Sequence, residues 1–498
     1  MKVILRRFTH IKFLFAIFIL VVSATCSYGQ HSVDTTVFTY ENQPLTDSTI
    51  IIGDIMVVGN NKTDKTIILR ELAFKEGDVY TVDELQKRIE LSTQNLNKIS
   101  LFNSVIIDFQ TFKTPQGKQT SLFIILVKER WYWWIWPLIE HPDRNFNDWW
   151  QHQNITRLSA GLHFQHENFS GKSEKLNIKA LLGYRNYFEA SYEWPYLNRA
   201  QNLGLGVLAS YQSLKEINYA TINNKLEFYR NDRELMQQGY QIVASGKYRP
   251  GFHVTNILSI QYSGFIFNDT IPILNPTFAG TSQNTELKRI TLKPQFLGVS
   301  YLIKAEYRDN RNYPLKGYYA ESELSHISGI NHKFSQQSIR FSLRGYVPFT
   351  SWLFGAAEIT SMFSTPDNPP YYLLTALGYD REFVRGYEYY VVEGKHYSLF
   401  KSHLKARFVQ TVVRLPWLKV EKFNNIPLNL YTGPHFDYGI AYPEIIDNNG
   451  NDYRGKKLIG LGMGIDLVSY YDKTFRFEYS YNVRESKAGF FIHFIAMI

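Results

Sequence analysis

The chain has 498 residues, 16% of them aromatic, with 54 Lys and Arg against 45 Asp and Glu, a formal net charge of +9 and a mean hydropathy of −0.26. A single cysteine, Cys26, excludes a disulfide framework and a cysteine-built metal centre. No run of five or more Lys and Arg occurs, so nucleic-acid binding has no support.

Residues 1–29 read as a signal peptide. Lys2, Arg6, Arg7 and Lys12 form its positive start, Phe13 to Val22 its apolar run, and Ser27 and Gly29 the small residues before a cut after Gly29. Those four cations leave +5 for the remainder, a weakly basic balance. Ser23-Ala24-Thr25 is a poor match to the Leu-x-Gly/Ala pattern that precedes a lipidated cysteine. No stretch reaches the roughly 18 apolar residues of a membrane helix.

Residues 30–48 are polar and Thr-rich, and residues 49–130 form a compact α/β unit. Ile51 to Val58 reads as a strand ended by Gly59-Asn60-Asn61. Thr63 or Asp64 caps a helix running to about Ala73, with Ile67, Ile68 and Leu72 inward. After Gly77-Asp78, Thr81-Val82-Asp83-Glu84 is a capping box opening a helix striped by Leu85, Ile89, Ser92, Leu96 and Ile99. Two strands, Asn103 to Gln110 and Ser121 to Val127, follow around a Pro115-Gln116-Gly117 turn. Residues 131–152 are a Trp-rich junction holding Trp131, Trp133, Trp134, Trp136, Trp149 and Trp150. This composition fits a membrane-interface belt and equally fits packing between two domains.

Residues 153–498 alternate apolar and polar. In Thr474 to Asn482, Phe475, Phe477, Tyr479 and Tyr481 interleave with Arg476, Glu478, Ser480 and Asn482. Leu458 to Leu467 and Ser338 to Tyr346 repeat the rhythm. Long strands with an aromatic apolar face predict a transmembrane antiparallel β-barrel of about 16 strands, greasy outside and wet inside. Alternation also explains the negative hydropathy, because half of every strand is polar.

Ile55-x-Val57-x-Gly59-Asn60, Ile68-x-Arg70-Glu71-Leu72, Gly77-Asp78 and Leu96-x-x-x-x-Leu101-Phe102-x-x-Val105 resemble a POTRA domain, the periplasmic polypeptide-transport-associated module, present here in one copy. A long loop, about Ser364 to Tyr397, carries Val384-Arg385-Gly386-Tyr387, and Asp437-Tyr438-Gly439 lies downstream. Together with Asp309-x-Arg311-x-x-Pro314-x-x-Gly317, Glu167-Asn168-Phe169-x-Gly171 and Pro195-Tyr196-Leu197, these resemble the BamA/TamA-type outer-membrane assembly family, which includes the two-partner-secretion transporters. Two departures stand out. Lys405-Ala406-Arg407-Phe408 replaces a Glu-bearing strand motif, and the chain does not end on an aromatic residue.

The resemblance implies a loop folded back into the barrel. Arg385 pairs with Asp437 there, Gly386 forms the tight tip, Tyr387 packs on the wall, and Asp437 and Gly439 belong to the strand motif. It also implies a lateral seam between a first strand near Asn154 to Phe164, including Leu162, and a last strand with Phe490, Ile492 and Phe494. The expected function is insertion, assembly or translocation of proteins at the outer membrane, with the POTRA domain in the periplasm. Alternatives are a secretion pore for a dedicated partner and a passive porin-like barrel. The implied partners are outer-membrane lipids, unfolded client outer-membrane or secreted proteins, and periplasmic chaperones or accessory subunits. No Gly-x-Ser-x-Gly elbow, Walker loop or His-Glu-x-x-His occurs, so neither an enzyme, a cofactor nor a metal is expected.

Overall fold

The computed structural model describes residues 49–99, 101–113, 119–140, 158–198, 200–276, 278, 292–366, 369–379, 382–414, 425–442, 455–469 and 474–495. The expected signal peptide, the 30–48 segment, the Pro115-Gln116-Gly117 turn, Trp149 and Trp150 lie outside these residues.

The N-terminal domain runs β1 (Ile50–Val58), α1 (Lys65–Arg70), β2 (Val79–Tyr80), α2 (Val82–Lys98), β3 (Phe102–Lys113) and β4 (Gln119–Glu129). The two-residue β2 is an addition to the expected order. The sheet order is β2-β1-β4-β3, with β1 parallel to β4. Asp64 caps α1 by accepting the Thr66 N–H at 2.9 Å. The helix stops at Arg70, short of Ala73, because the Glu71 N–H turns back to the Ile68 carbonyl. α2 opens on a reciprocal capping box between Thr81 and Glu84. Its stripe buries Leu85, Ser92 and Leu96 against Ile50, Ile52, Phe123 and Ile125, and Leu101-Phe102 closes the layer.

The remaining strands are β5 (Trp133–Glu140), β6 (Ser159–His166), β7 (Lys175–Gly183), β8 (Arg185–Trp194), β9 (Leu203–Leu214), β10 (Glu216–Ile222), β11 (Lys225–Arg230), β12 (Gln237–Tyr248), β13 (Val254–Phe267), β14 (Gln295–Glu306), β15 (Gly317–Gly329), β16 (Ser335–Pro348), β17 (Leu353–Thr365), β18 (His396–Arg414), β19 (Asn425–Tyr442), β20 (Leu458–Val468), β21 (Thr474–Asn482) and β22 (Lys487–Ile495). β10 and β11 form a separate hairpin, and the others build one 16-stranded antiparallel sheet in chain order. Its buried face is polar and its exposed face apolar, the inverse of a soluble sandwich. On β21, Glu478, Ser480 and Asn482 are buried, whereas Phe475, Phe477, Tyr479 and Tyr481 are exposed. A band of that kind suits lipid, not water. No helix among the described residues is long and apolar enough to cross a membrane.

One boundary is corrected. The sheet opens at Trp133, inside the segment assigned to a junction, and not near Asn154. Tryptophan, isoleucine and proline occupy one face of β5 and tryptophan and leucine most of the other, so the polar alternates that mark a strand are missing. Leu162 consequently belongs to the second strand, paired with Pro137 on one side and Ala180 on the other, and is not a seam residue. Proline suits β5 because an edge strand has donors that face no neighbour.

The Glu167 N–H donates to the Tyr132 carbonyl, one step beyond the β5–β6 ladder and in the same register. Bonded and non-bonded pairs alternate along an antiparallel ladder. The even-numbered residues of β5 therefore bond to β6, and Trp133, Ile135, Pro137 and Ile139 aim their backbone groups at the free side. Among the described residues no ladder joins β5 to β22, the strands at the two ends of the sheet.

Candidate functional site

Strand parity places the loop between β17 and β18 at the end of the sheet opposite the N-terminal domain, and the loop folds back inside. Leu377 and Val392 close its neck with two backbone hydrogen bonds of 3.2 and 2.8 Å. The tip is the Val384-Arg385-Gly386-Tyr387 segment. Gly386 has φ +92°, a region that costs other residues strain, and a β-carbon there would stand 3.2 Å from the backbone of Tyr481.

Arg385 is almost fully buried, and Asp437 on β19 is completely so. The arginine backbone N–H and its Nε each donate to Asp437 Oδ2 at 2.9 Å, while Nη2 reaches Asp437 Oδ1. Nη2 also donates to the Ser402 carbonyl of β18 at 2.9 Å, and Nη1 lies 3.5 Å from Glu478 Oε1 on β21. A bidentate pair with further acceptors is what a confined guanidinium requires.

Two residues beyond Asp437, hence on the same face of β19, Gly439 leaves room for the tip. A β-carbon at position 439 would stand 2.5 Å from Val384 Cγ2. Gly460 on β20 is as tightly placed, since its β-carbon would stand 2.0 Å from the Arg385 carbonyl oxygen. Tyr387 packs beside Leu377, Val384 and Leu399, and its hydroxyl accepts the Ile459 and Arg484 N–H groups at 3.3 Å each.

A second polar cluster continues down the wall. Arg476 donates to Asp466 from Nε at 2.6 Å and Nη2 at 2.9 Å, and the Tyr313 hydroxyl donates to the same carboxylate at 2.8 Å. Lys405 lies 3.8 Å from Asp466 and over the Tyr313 ring. Sequence reasoning missed Ser402, Gly460, Glu478 and this use of Lys405. A charged residue on the inward alternate of β21 was the available signal for Glu478.

The opening-hairpin motifs meet the N-terminal domain. Asn168 Nδ2 donates to Thr63 Oγ1 at 2.9 Å, the Asp64 N–H donates to the Gly171 carbonyl at 2.8 Å, and a β-carbon on Gly171 would stand 2.4 Å from the Lys62 carbonyl oxygen. Glu71, fully buried, is held by Arg70 and by Arg249 of the β12–β13 turn at 2.9 Å. Burial raises the Tyr132 phenol in the same junction, and the Thr66 N–H holds the Asp64 carboxyl below its ordinary range. On the last strand, Phe490 pairs with Tyr479, Ile492 with Phe477 and Phe494 with Phe475.

A family model described as a surface antigen variable number repeat, POTRA, matches residues 50–130. BamA from Haemophilus ducreyi lacking POTRA domains 1–3 superposes with a TM-score of 0.53 at 14% identity, over 89% of this chain and 83% of that one. CdiB from Escherichia coli gives 0.51 at 11% identity, over 89% and 75%. CdiB from Acinetobacter baumannii gives 0.50 at 13%, over 89% and 73%. This chain joins a POTRA-matching domain to a sheet with the fold of BamA and CdiB.

No curated protein matches the sequence. Within the barrel sheet, the departure at Lys405 has a structural answer. The lysine pairs with Asp466 and leaves the second carboxylate beside Arg385 to Glu478. The Asp309 motif of the barrel closes its own turn, with the Leu315 and Lys316 N–H groups donating to Asp309 Oδ1 at 3.1 and 3.2 Å. Gly317 then starts β15 at φ +100°.

Proposed function

We propose that this protein inserts or translocates other proteins at the outer membrane, without enzymatic chemistry, by offering an incoming strand the free edges of its sheet. The supporting observation is the pair of terminal strands that no ladder joins among the described residues: β5, whose odd-numbered residues aim backbone groups away from β6, and β22. A backbone edge facing lipid is costly to leave unmet, so an extended client segment is captured there. β3, the outer strand of the POTRA sheet, gives clients a second edge on the periplasmic side through strand addition. No nucleotide site is invoked, since client folding supplies the driving force. The loop fixed by Arg385 and Asp437 keeps β18 to β21 rigid, so that only the seam yields.

Cysteines placed in β5 and β22, for example at Ile135 and Ile492, test this reading. The one native cysteine, Cys26, lies in the N-terminal segment. Reconstituted in vesicles, the oxidised protein is expected to stop assembling barrel clients and to recover on reduction. Undiminished assembly by the locked protein would overturn the lateral mechanism. Continued export of one dedicated partner through the locked barrel would instead assign a secretion pore.

A further inference from the structure

Glu388 of the loop, Glu478 of β21 and His493 of β22 converge inside the barrel, beside the Arg385–Asp437 pair but outside it. Their facing atoms all lie within 4.8 Å of one another. His493 Nε2 is 3.1 Å from Glu478 Oε2 and 3.7 Å from Glu388 Oε1. Ligand atoms around a tetrahedral zinc ion, at bond lengths of about 2.0–2.2 Å, stand about 3.3 Å apart. The two distances from His493, 3.1 and 3.7 Å, bracket such a coordination edge.

Two independent features point the same way. Glu478 is almost wholly buried, and its Oε2 and His493 Nε2 stand 3.1 Å apart with no further hydrogen-bond partner for either atom. The two carboxylates are also held alike. Glu388 Oε2 accepts the Gly386 N–H at 2.9 Å, and Glu478 Oε1 faces Arg385 and Arg476 at 3.5 and 3.8 Å. Each acid thus uses one oxygen on the protein and turns the other toward the imidazole nitrogen. Partners of this type orient first ligands in metal sites.

Charge agrees in sign. Glu388 and Glu478 bring two buried carboxylates to the imidazole of His493, and the guanidinium nearest them, Arg385, is held first by Asp437. The ligands are far apart in sequence, so no spacing motif announced them.

We propose that Glu388, Glu478 and His493 bind a divalent transition-metal ion of the zinc type. Two carboxylates and a neutral imidazole supply three ligands, and lumenal water completes the tetrahedron. The ion would tie the loop tip to the last two strands, next to the seam. This inference does not depend on what the barrel inserts.

The test uses the full chain purified in detergent, stripped with EDTA and titrated with Zn²⁺. Bound metal is counted by atomic emission after desalting, and Co²⁺ is substituted to read the visible d–d bands of a tetrahedral site. His493→Ala and His493→Gln are compared with wild type, with folding followed by heat-modifiable gel mobility. Wild type is expected to retain one more equivalent than either folded variant and to give Co²⁺ bands that both variants lack. Equal retention by all three proteins, or no retention by wild type, would overturn the proposal. The cluster would then be an ion-pair triad bridged by a proton on His493. If both variants fail to fold, wild-type stoichiometry and the Co²⁺ bands still decide.

Discussion

Val384 rests on Gly439 so closely that a β-carbon at position 439 would stand 2.5 Å from Val384 Cγ2. The spacing explains why an aspartate and a glycine two residues apart belong together. Asp437 grips the arginine, and Gly439 makes space for the residue before it. Gly439→Ala is expected to push the loop tip off the wall and to cost about 1–3 kcal/mol, as overpacking does. Limited proteolysis within 366–395 of the folded barrel checks this, and wild-type resistance would count against it.

Arg385→Ala leaves Asp437 buried without its cation and is expected to cost about 3–5 kcal/mol. Asp437→Asn should cost less, because a neutral amide still accepts from Arg385. Urea unfolding in detergent, read by tryptophan fluorescence, measures both, and equal losses would contradict the charge argument.

Leu96→Ala empties a fully buried site in the POTRA core and should cost about 2–5 kcal/mol. Residues 49–132, a span that includes the buried Tyr132, are expected to fold alone and to report the loss by circular dichroism. An unfolded wild-type fragment would show that the domain needs the barrel turns it touches.

Asp64 supplies a pH signature. Its carboxyl is lowered from 3.8 by the Thr66 backbone N–H and then the Thr66 hydroxyl. A depressed folded value means stabilisation that is present above the unfolded value and lost as pH falls through the folded one. Asp64→Ala is expected to cost about 0.5–2 kcal/mol near neutral pH. In the same fragment that penalty should shrink toward zero as pH drops below about 3.8, and a penalty constant from pH 7 to 2 would refute it.

What the sequence revealed depended on how local each signal was. β20 and β21 were legible residue by residue because polar and apolar side chains alternate without interruption. The Arg385–Asp437 pair was reached through two short motifs. β5 was not legible, because a strand with tryptophan or leucine on both faces and a proline within it carries neither period nor β-pattern. The third member of the loop contact, Glu478, lies 93 residues from Arg385, and only folding brings them together.

Pro137 has a consequence for turnover. In the β5 ladder its nitrogen faces the free side and carries no hydrogen, so a strand annealed to this edge lacks one bond near the middle. A missing hydrogen bond weakens such a duplex by about 0.5–1.5 kcal/mol, which speeds its separation by roughly 2- to 12-fold. A template that held its product along an unbroken ladder would be poisoned by the first molecule it finished. Under the proposed mechanism, a proline at that position favours departure of the inserted strand and reopening of the edge.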